Sequence, residues 1–250
     1  MPDAIFAEPT LARLYDPLDP DRRDLEPYLA LARELGARRV LDVGCGTGTL
    51  ALLLAAEGID VIGVDPAGAS LDVARGKSGA ERVRWVHGDA TTLPRWQVDL
   101  ATMTGNVAQV FLTDDDWSAT LRGVRAALAP GGHLVFETRD PARRFWERWT
   151  RERTHRRSDV PGFGVVETWT ELVDVSLPLV TFRGTFVLAD GRVLRSDSTL
   201  RFREHDELAA SLEEAGYVVE QVRDAPDRPG LEWVFVARAD PSVEPVETTP

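Results

Sequence analysis

Val40-Leu-Asp-Val-Gly-Cys-Gly-Thr-Gly-Thr-Leu-Ala51 reads as a buried strand that runs into a glycine loop and then into a helix. Gly44, Gly46 and Gly48 let the main chain turn sharply and approach a ligand, and the helix start behind them offers unpaired N–H groups. That much describes any nucleotide loop. Two details narrow it. The spacing is G-x-G-x-G, with Thr49 where a dinucleotide fingerprint has its third glycine. Asp42 also stands two residues before the first glycine, where it would repel a pyrophosphate and attract an ammonium group.

Outward from this stretch the pattern alternates. A second run, Val61-Ile-Gly-Val, leads to Asp65, then to a helix ending at Arg75 and a strand Val83 to Val86. This βαβαβ rhythm predicts a parallel sheet with helices on both faces. Asp65 lies 21 residues after Gly44, where an acid can hydrogen-bond the ribose hydroxyls of an adenosine ligand. Asp89, in Gly88-Asp-Ala-Thr-Thr-Leu-Pro, ends the third strand, so acids stand at three successive strand ends, the edge where such sheets bind ligands. A fourth strand follows near Val98 to Thr102, a helix from Asp114 to Leu128, and a fifth strand at His133-Leu-Val-Phe-Glu after Pro130-Gly-Gly.

The flanks differ in character. The N-terminal stretch through Tyr15 is proline-broken and acidic, and Asp24 can cap a leader helix from Leu25 to Leu35. After Thr138 arginine and tryptophan cluster, eight arginines against three acids over Arg139 to Arg157, which reads as an amphipathic helix. Three runs of strand-like alternation follow, and Asp190-Gly191 between the last two signals a hairpin whose tight turn takes positive φ at both residues. A helix from His205 to Ala215 and strands Tyr217–Val222 and Glu232–Arg238 return to the main sheet as an antiparallel edge pair. The expected fold is therefore α/β: a Rossmann-like, mostly parallel sheet with an antiparallel C-terminal edge hairpin and an inserted antiparallel lid sheet. Its parts are a leader over 1–36, a ligand-binding domain over 37–138 and 204–239, an insert over 139–203, and a disordered tail over 240–250.

In VLDVGCGTG, VIGVDP, GDATTLP and LAPGGHLVFE, taken in this order, the chain resembles the class I S-adenosylmethionine-dependent methyltransferases, tightly over 36–138 and loosely over 205–238. The resemblance implies S-adenosylmethionine as cofactor. Gly44, Cys45, Gly46, Thr47 and Gly48 would line its methionine end, Asp42 would serve its amino group, Asp65 with Pro66 the ribose, and Asp89 with Ala90 the adenine. Cys45 reads as a small packing residue rather than a nucleophile. The fourth strand ends in Thr102-Met-Thr-Gly-Asn-Val-Ala-Gln and lacks the Asn/Asp-Pro-Pro-Tyr/Phe signature of many nucleobase and glutamine methyltransferases. Thr104 and Asn106 are the wall residues there. The inserted sheet resembles that of glycine- and aminosugar-type N-methyltransferases. Related enzymes also fold an N-terminal tyrosine over the site, a place Tyr15 can take, or else it is a packing residue. Arg139 is the preferred anion contact and His155 a candidate base; Asn106 doubles as a possible turn residue.

Composition bounds the rest. With 43% apolar and 28% charged residues the chain can bury a sizeable core. Its net charge of −12 repels nucleic acid. One cysteine excludes an internal disulfide, no metal-type cysteine pattern is present, and the longest apolar run, Leu50 to Ala56, is far short of a bilayer span, so a cytoplasmic protein is expected. The single lysine, Lys77, carries no functional weight in this reading. The expected activity is methyl transfer to a nitrogen or oxygen of a small molecule by in-line displacement, without a metal. The rivals are an RNA or protein methyltransferase using residues 139–157, and a non-catalytic cofactor-binding protein. No motif specifies the oligomeric state.

Overall fold

A computed structural model describes residues 1–243; part of the tail expected over 240–250 therefore lies outside the described residues. In chain order the helices and strands are α1 (Ala4–Ala7), α2 (Pro9–Leu18), α3 (Glu26–Glu34), β1 (Arg39–Val43), α4 (Thr49–Ala56), β2 (Asp60–Asp65), α5 (Gly68–Arg75), β3 (Val83–His87), β4 (Val98–Met103), α6 (Asp114–Ala127) and β5 (Leu128–Arg139). They continue with α7 (Arg151–Thr154), β6 (Arg156–Val160), β7 (Gly164–Ser176), β8 (Leu179–Val187), β9 (Val193–Arg201), α8 (His205–Glu214), β10 (Tyr217–Asp224) and β11 (Glu232–Ala239).

The main sheet has seven strands in the order β10-β11-β5-β4-β1-β2-β3. β3, β2, β1, β4 and β5 are parallel, and β11 joins β5 antiparallel with β10 outside it. The order reverses between β1 and β4, which opens the ligand crevice at their carboxyl ends. Alternation along the strands divides the core. Leu41, Val43, Met103, Leu134 and Phe136 pack under α6 and α8 through Trp117, Leu121, Leu208 and Leu212. Val40, Val61, Leu100 and Val135 face the opposite layer with Leu31 of α3 and Leu50 and Leu54 of α4. Side chains one residue apart on a strand point to opposite faces, so a parallel sheet covered on both sides needs these unbroken apolar runs.

The second sheet has four strands in the order β6-β7-β8-β9, all antiparallel. The sequence reading has three. β6 was hidden in the arginine-rich segment, which is not one amphipathic helix but two 3-10 turns, Pro141–Arg143 and Phe145–Arg148, then α7 and β6. Arg144 between the turns is left-handed at φ 46, which a continuous helix does not allow. Trp146, Trp149 and Phe145 instead anchor the segment on Val180, Leu200 and Phe202 of the antiparallel sheet and its exit. At the Asp190-Gly191 turn only Gly191 has positive φ. Leu188 N–H and Arg192 C=O close a three-residue loop, so the turn is the longer type with one left-handed glycine.

The N-terminal stretch is also helical where the sequence reading has a broken leader. Pro9 sits in the first turn of α2, where its missing N–H costs nothing, and the Glu8 carboxylate accepts from Leu11 N at 2.7 Å. α3 begins after a 3-10 turn, and Asp24 does not cap it: its carboxylate pairs with Arg22 at 3.2 Å. Leu11 and Leu14 of α2 are buried against Val160, Val166 and Leu188 of the lid. Ser70 Oγ donates to Phe6 C=O on the other side, so the N-terminal helices lie between the lid and α5. At the far end, Arg125 donates to the carbonyls of Asp240 and Val243.

Candidate cofactor and acceptor site

Asp42 is 1% exposed, and among the described residues the one hydrogen bond to its carboxylate comes from the Thr102 hydroxyl at 3.0 Å. Burial pushes its carboxyl up to about 7, the Thr102 bond opposes this, and the nearby Asp65 charge adds to it. No cationic side chain among the described residues pairs with it. A buried carboxylate in that condition is costly unless a cation joins it.

Asp65 ends β2 and holds the glycine loop from beside it: one oxygen accepts from Gly46 N at 2.8 Å and the other from Ala67 N at 2.7 Å. Burial raises its pKa, and these two bonds oppose the rise. Pro66 is exposed at the same edge, with its carbonyl 3.0 Å from His87 Nε2. Asp89 is exposed and caps the Ala90–Thr92 turn by accepting from Thr91 N at 2.9 Å; Ala90 is buried beneath it.

The three loop glycines are required for different reasons. A Cβ on Gly44 would lie 2.6 Å from a Val107 methyl, and one on Gly48 would lie 2.4 Å from the Trp85 ring. At Gly46, also left-handed at φ 54, a Cβ would meet nothing within 4 Å. Protein fills the space beside the outer two glycines, while the middle one faces open space. Cys45 donates its N–H to Val64 C=O, and burial raises its thiol pKa well above the usual value, which fits a packing role.

Thr104 is half-buried after β4, and Asn106 is 3% exposed and left-handed at φ 62. Its side-chain Oδ1 is buried with no partner. The Gly105 and Asn106 N–H groups both donate to Oε1 of Glu137, at 2.7 and 3.1 Å, and the other Glu137 oxygen accepts from Tyr28 OH of α3. Glu137 escaped the sequence reading, although its place at the end of the fifth strand is the same signal that marked the other acids.

Two more residues were missed. Asp16, next to Tyr15, accepts from the hydroxyls of Thr47 at 2.7 Å and Thr49 at 3.3 Å, and pairs with Lys77 at 2.7 Å. Lys77, set aside in the sequence reading, thus helps hold α2 across the glycine loop. Nothing local announces these contacts, which join residues 31 or more positions apart. Tyr15 on α2 is half-buried against Phe6, ring centroids 5.7 Å apart. Burial raises its phenol pKa, with Arg22 opposing and Asp19 adding.

Arg139 is half-buried at the end of β5, 3.3 Å from Glu232, donating to Gln109 Oε1 at 3.0 Å and flanked by the Phe145 and Trp149 rings. Burial lowers its pKa, Glu232 holds it up, and Tyr15 is among the groups it senses. Glu232 also pairs with Arg228 at 2.6 Å, so one carboxylate serves two guanidinium groups. His155 is elsewhere. Val160 and Val166 face α2, and strand alternation turns His155 and its neighbour Glu167, 3.5 Å away, to the outer face of the lid. An exposed imidazole there does not face the crevice, so the candidate base is corrected.

A parallel sheet reversed between β1 and β4, with an acid-flanked glycine loop at the reversal, defines a Rossmann-like fold. Residues 40–132 match the family described as methyltransferase domain. A cypemycin N-terminal methyltransferase from a Streptomyces species is 35% identical over 119 residues, 47% of this chain and 49% of that protein. A demethylmenaquinone methyltransferase from Thermus thermophilus is 39% identical over 109 residues, 42% and 49% of the two chains. The chain thus spans about half the length of the curated relatives it matches. Among solved structures, an S-adenosylmethionine-dependent methyltransferase from Clostridium acetobutylicum superimposes with a TM-score of 0.73 at 17% identity, over 92% of this chain and 98% of that one. An amino pentose methyltransferase from Micromonospora echinaspora gives 0.69 at 23% identity, over 92% and 96%. The match over residues 40–132 is to a methyltransferase domain, and the chain has the fold of the class I S-adenosylmethionine-dependent methyltransferases. No helix among the described residues is long and apolar enough to cross a membrane.

Proposed function

We propose that this protein transfers the methyl group of S-adenosylmethionine to a small-molecule acceptor, a neutral amine in preference to a hydroxyl. The observation that carries the proposal is Asp42, a fully buried carboxylate without a protein cation beside a glycine loop whose middle member faces open space. An α-ammonium group supplies the missing charge. In this reading Gly44, Cys45, Gly46, Thr47 and Gly48 line the methionine end, Asp65 and Pro66 take the ribose, Asp89 and Ala90 the adenine, and Thr104 and Asn106 form the wall toward the acceptor. Tyr15 closes the crevice from α2.

When bound, the cofactor supplies an electrophilic methyl on sulfur. The residues of the chain hold the acceptor in line with it and exclude water, which can provide most of the rate enhancement. Tyr15, whose phenol pKa burial raises, keeps its proton at neutral pH, and Arg139, paired with Glu232, is a cationic donor, so neither offers a base there. A hydroxyl acceptor needs its proton removed, whereas an amine attacks as its neutral form, and this favours nitrogen. One relative is named for an N-terminal acceptor and the amino pentose methyltransferase matches over nearly the whole chain, which supports an amine, while the demethylmenaquinone relative is named for a quinone and does not. In the arginine-rich segment Arg143 pairs with Asp140 and Arg144 with Glu147, so those charges are met within the chain and argue against an RNA groove.

The test is calorimetry with S-adenosylhomocysteine, followed by incubation with methyl-labelled cofactor and fractionated small-molecule extract. Binding that is lost in Asp65→Ala, and label appearing in an amine fraction, are expected. A folded wild-type protein with no affinity for either nucleoside would overturn the proposal.

A further inference from the structure

Glu137 is 7% exposed and belongs to a buried polar cluster that the proposed reaction does not use directly. Its Oε1 accepts two consecutive main-chain N–H groups, from Gly105 and Asn106, while Tyr28 donates to Oε2. Those two residues have φ of 69 and 62, so the turn after β4 is left-handed at both positions. For glycine this is free; for asparagine it costs roughly 1 kcal/mol and persists only when surroundings enforce it. Successive N–H groups in such a turn converge on one point and make a small anion-binding concavity, which here is filled by the protein's own carboxylate.

What the turn carries explains why it is held. Val107 follows immediately, and its methyls occupy the space that a side chain on Gly44 would need. The turn therefore lies directly against the glycine loop. Asn106 presents a buried Oδ1 with no hydrogen-bond partner among the described residues. Gln109, whose N–H donates to Asn106 C=O, leads on to Arg139 through its side chain. The carboxylate is thus the point from which the wall between cofactor loop and acceptor side is set. Burial raises the Glu137 pKa, and the Tyr28 bond opposes this, so the arrangement is costly and apolar packing alone would be cheaper.

We infer that Glu137 is a positioning residue for methyl transfer: through the Gly105 and Asn106 N–H groups it fixes Val107 on the glycine loop and holds the unpaired Asn106 oxygen toward a ligand N–H or O–H. The inference rests on the methyl-transfer reading of the site. Tyr28, donating from α3, keeps the carboxylate in the rotamer that reaches the turn.

The experiment compares wild type, Glu137→Gln and Glu137→Ala by S-adenosylhomocysteine calorimetry and by the amide proton shifts of Gly105 and Asn106. Glutamine keeps an oxygen for both N–H groups, so its affinity should stay within about threefold, with both amide resonances moved upfield because the acceptor is now neutral. Alanine leaves both N–H donors without their carboxylate, the Asn106 one buried, and should weaken binding roughly tenfold or more. If Glu137→Ala does not fold, Tyr28→Phe takes its place, with a smaller loss and the same two amides perturbed. Failure of wild type to bind would sink the methyl-transfer reading itself. Wild-type affinity retained in a folded Glu137→Ala, or amide shifts unmoved in Glu137→Gln, would overturn the positioning role alone.

Discussion

Asp16 and Lys77 lie 2.7 Å apart, and their ion pair fastens α2 to the turn after α5, directly over the glycine loop that Asp16 also reaches through Thr47. Both side chains are about one quarter exposed, 24% and 26%, so the pair is worth ~1 kcal/mol or less and is partly screened by salt. A contact of that strength can open on the timescale of ligand exchange without unfolding the domain. Lys77→Met should speed S-adenosylhomocysteine release by about threefold while melting changes little. Dissociation rates measured at low and high salt would check this: wild type should quicken with salt and the variant should not.

Asp42 predicts a pH dependence of opposite sign for the free and bound protein. Its folded carboxyl is raised from the ordinary value of 3.8 to about 7, so the folded state holds a proton that the unfolded chain has lost over that range. The ligand-free protein therefore loses stability as pH rises from about 4 to about 7, by on the order of 4 kcal/mol at most. Asp42→Asn should flatten the melting curve of the free protein across this window. The same substitution should abolish binding, because a neutral amide cannot pair with an ammonium. In wild type, calorimetry in buffers of different ionisation enthalpy should detect proton release on binding below pH 7.

Gly46 and Gly48 should separate binding from folding. Gly46→Ala meets no neighbour but takes φ 54 and projects into the ligand face, so melting should fall by only ~1 kcal/mol while S-adenosylhomocysteine affinity collapses. Gly48→Ala drives a methyl into Trp85 and Ala74 and should destabilise the fold itself by ~3 kcal/mol. Paired thermal melts and calorimetry read the two effects independently.

His155 serves as a control on the geometry of the lid. Its ring lies on the outer face beside Glu167 and Trp169, so His155→Ala should leave cofactor affinity and labelled turnover within about twofold. Trp146, 2% exposed and edge-on to Phe202 at 4.6 Å, should behave otherwise: Trp146→Ala should cost ~3 kcal/mol or more, read by chemical denaturation.

The cofactor half of the site was legible because its parts lie within short stretches of chain. Asp42 and the three glycines belong to one strand-loop-helix unit, and Asp65 follows at the next strand end, so period and spacing were enough to find them. The arginine-rich segment misled because its composition satisfies a helical pattern, while its aromatic residues are more stabilised by packing on Val180 and Phe202 than by helix formation. His155 misled in another way, since a single extra strand residue sets which face a side chain takes.

By itself the sequence determined the parallel sheet and the acid-flanked glycine loop at the end of its first strand, since these follow from local periodicity and from the turning freedom of Gly44, Gly46 and Gly48. Only the tertiary structure decided the strand order with its reversal between β1 and β4, that Asp16 meets Lys77, that Glu137 accepts from the Gly105–Asn106 turn, and that α2 packs between the second sheet and α5. Such contacts join distant residues through burial and charge, and their partners are chosen by how the packed layers come together rather than by any pattern within one segment.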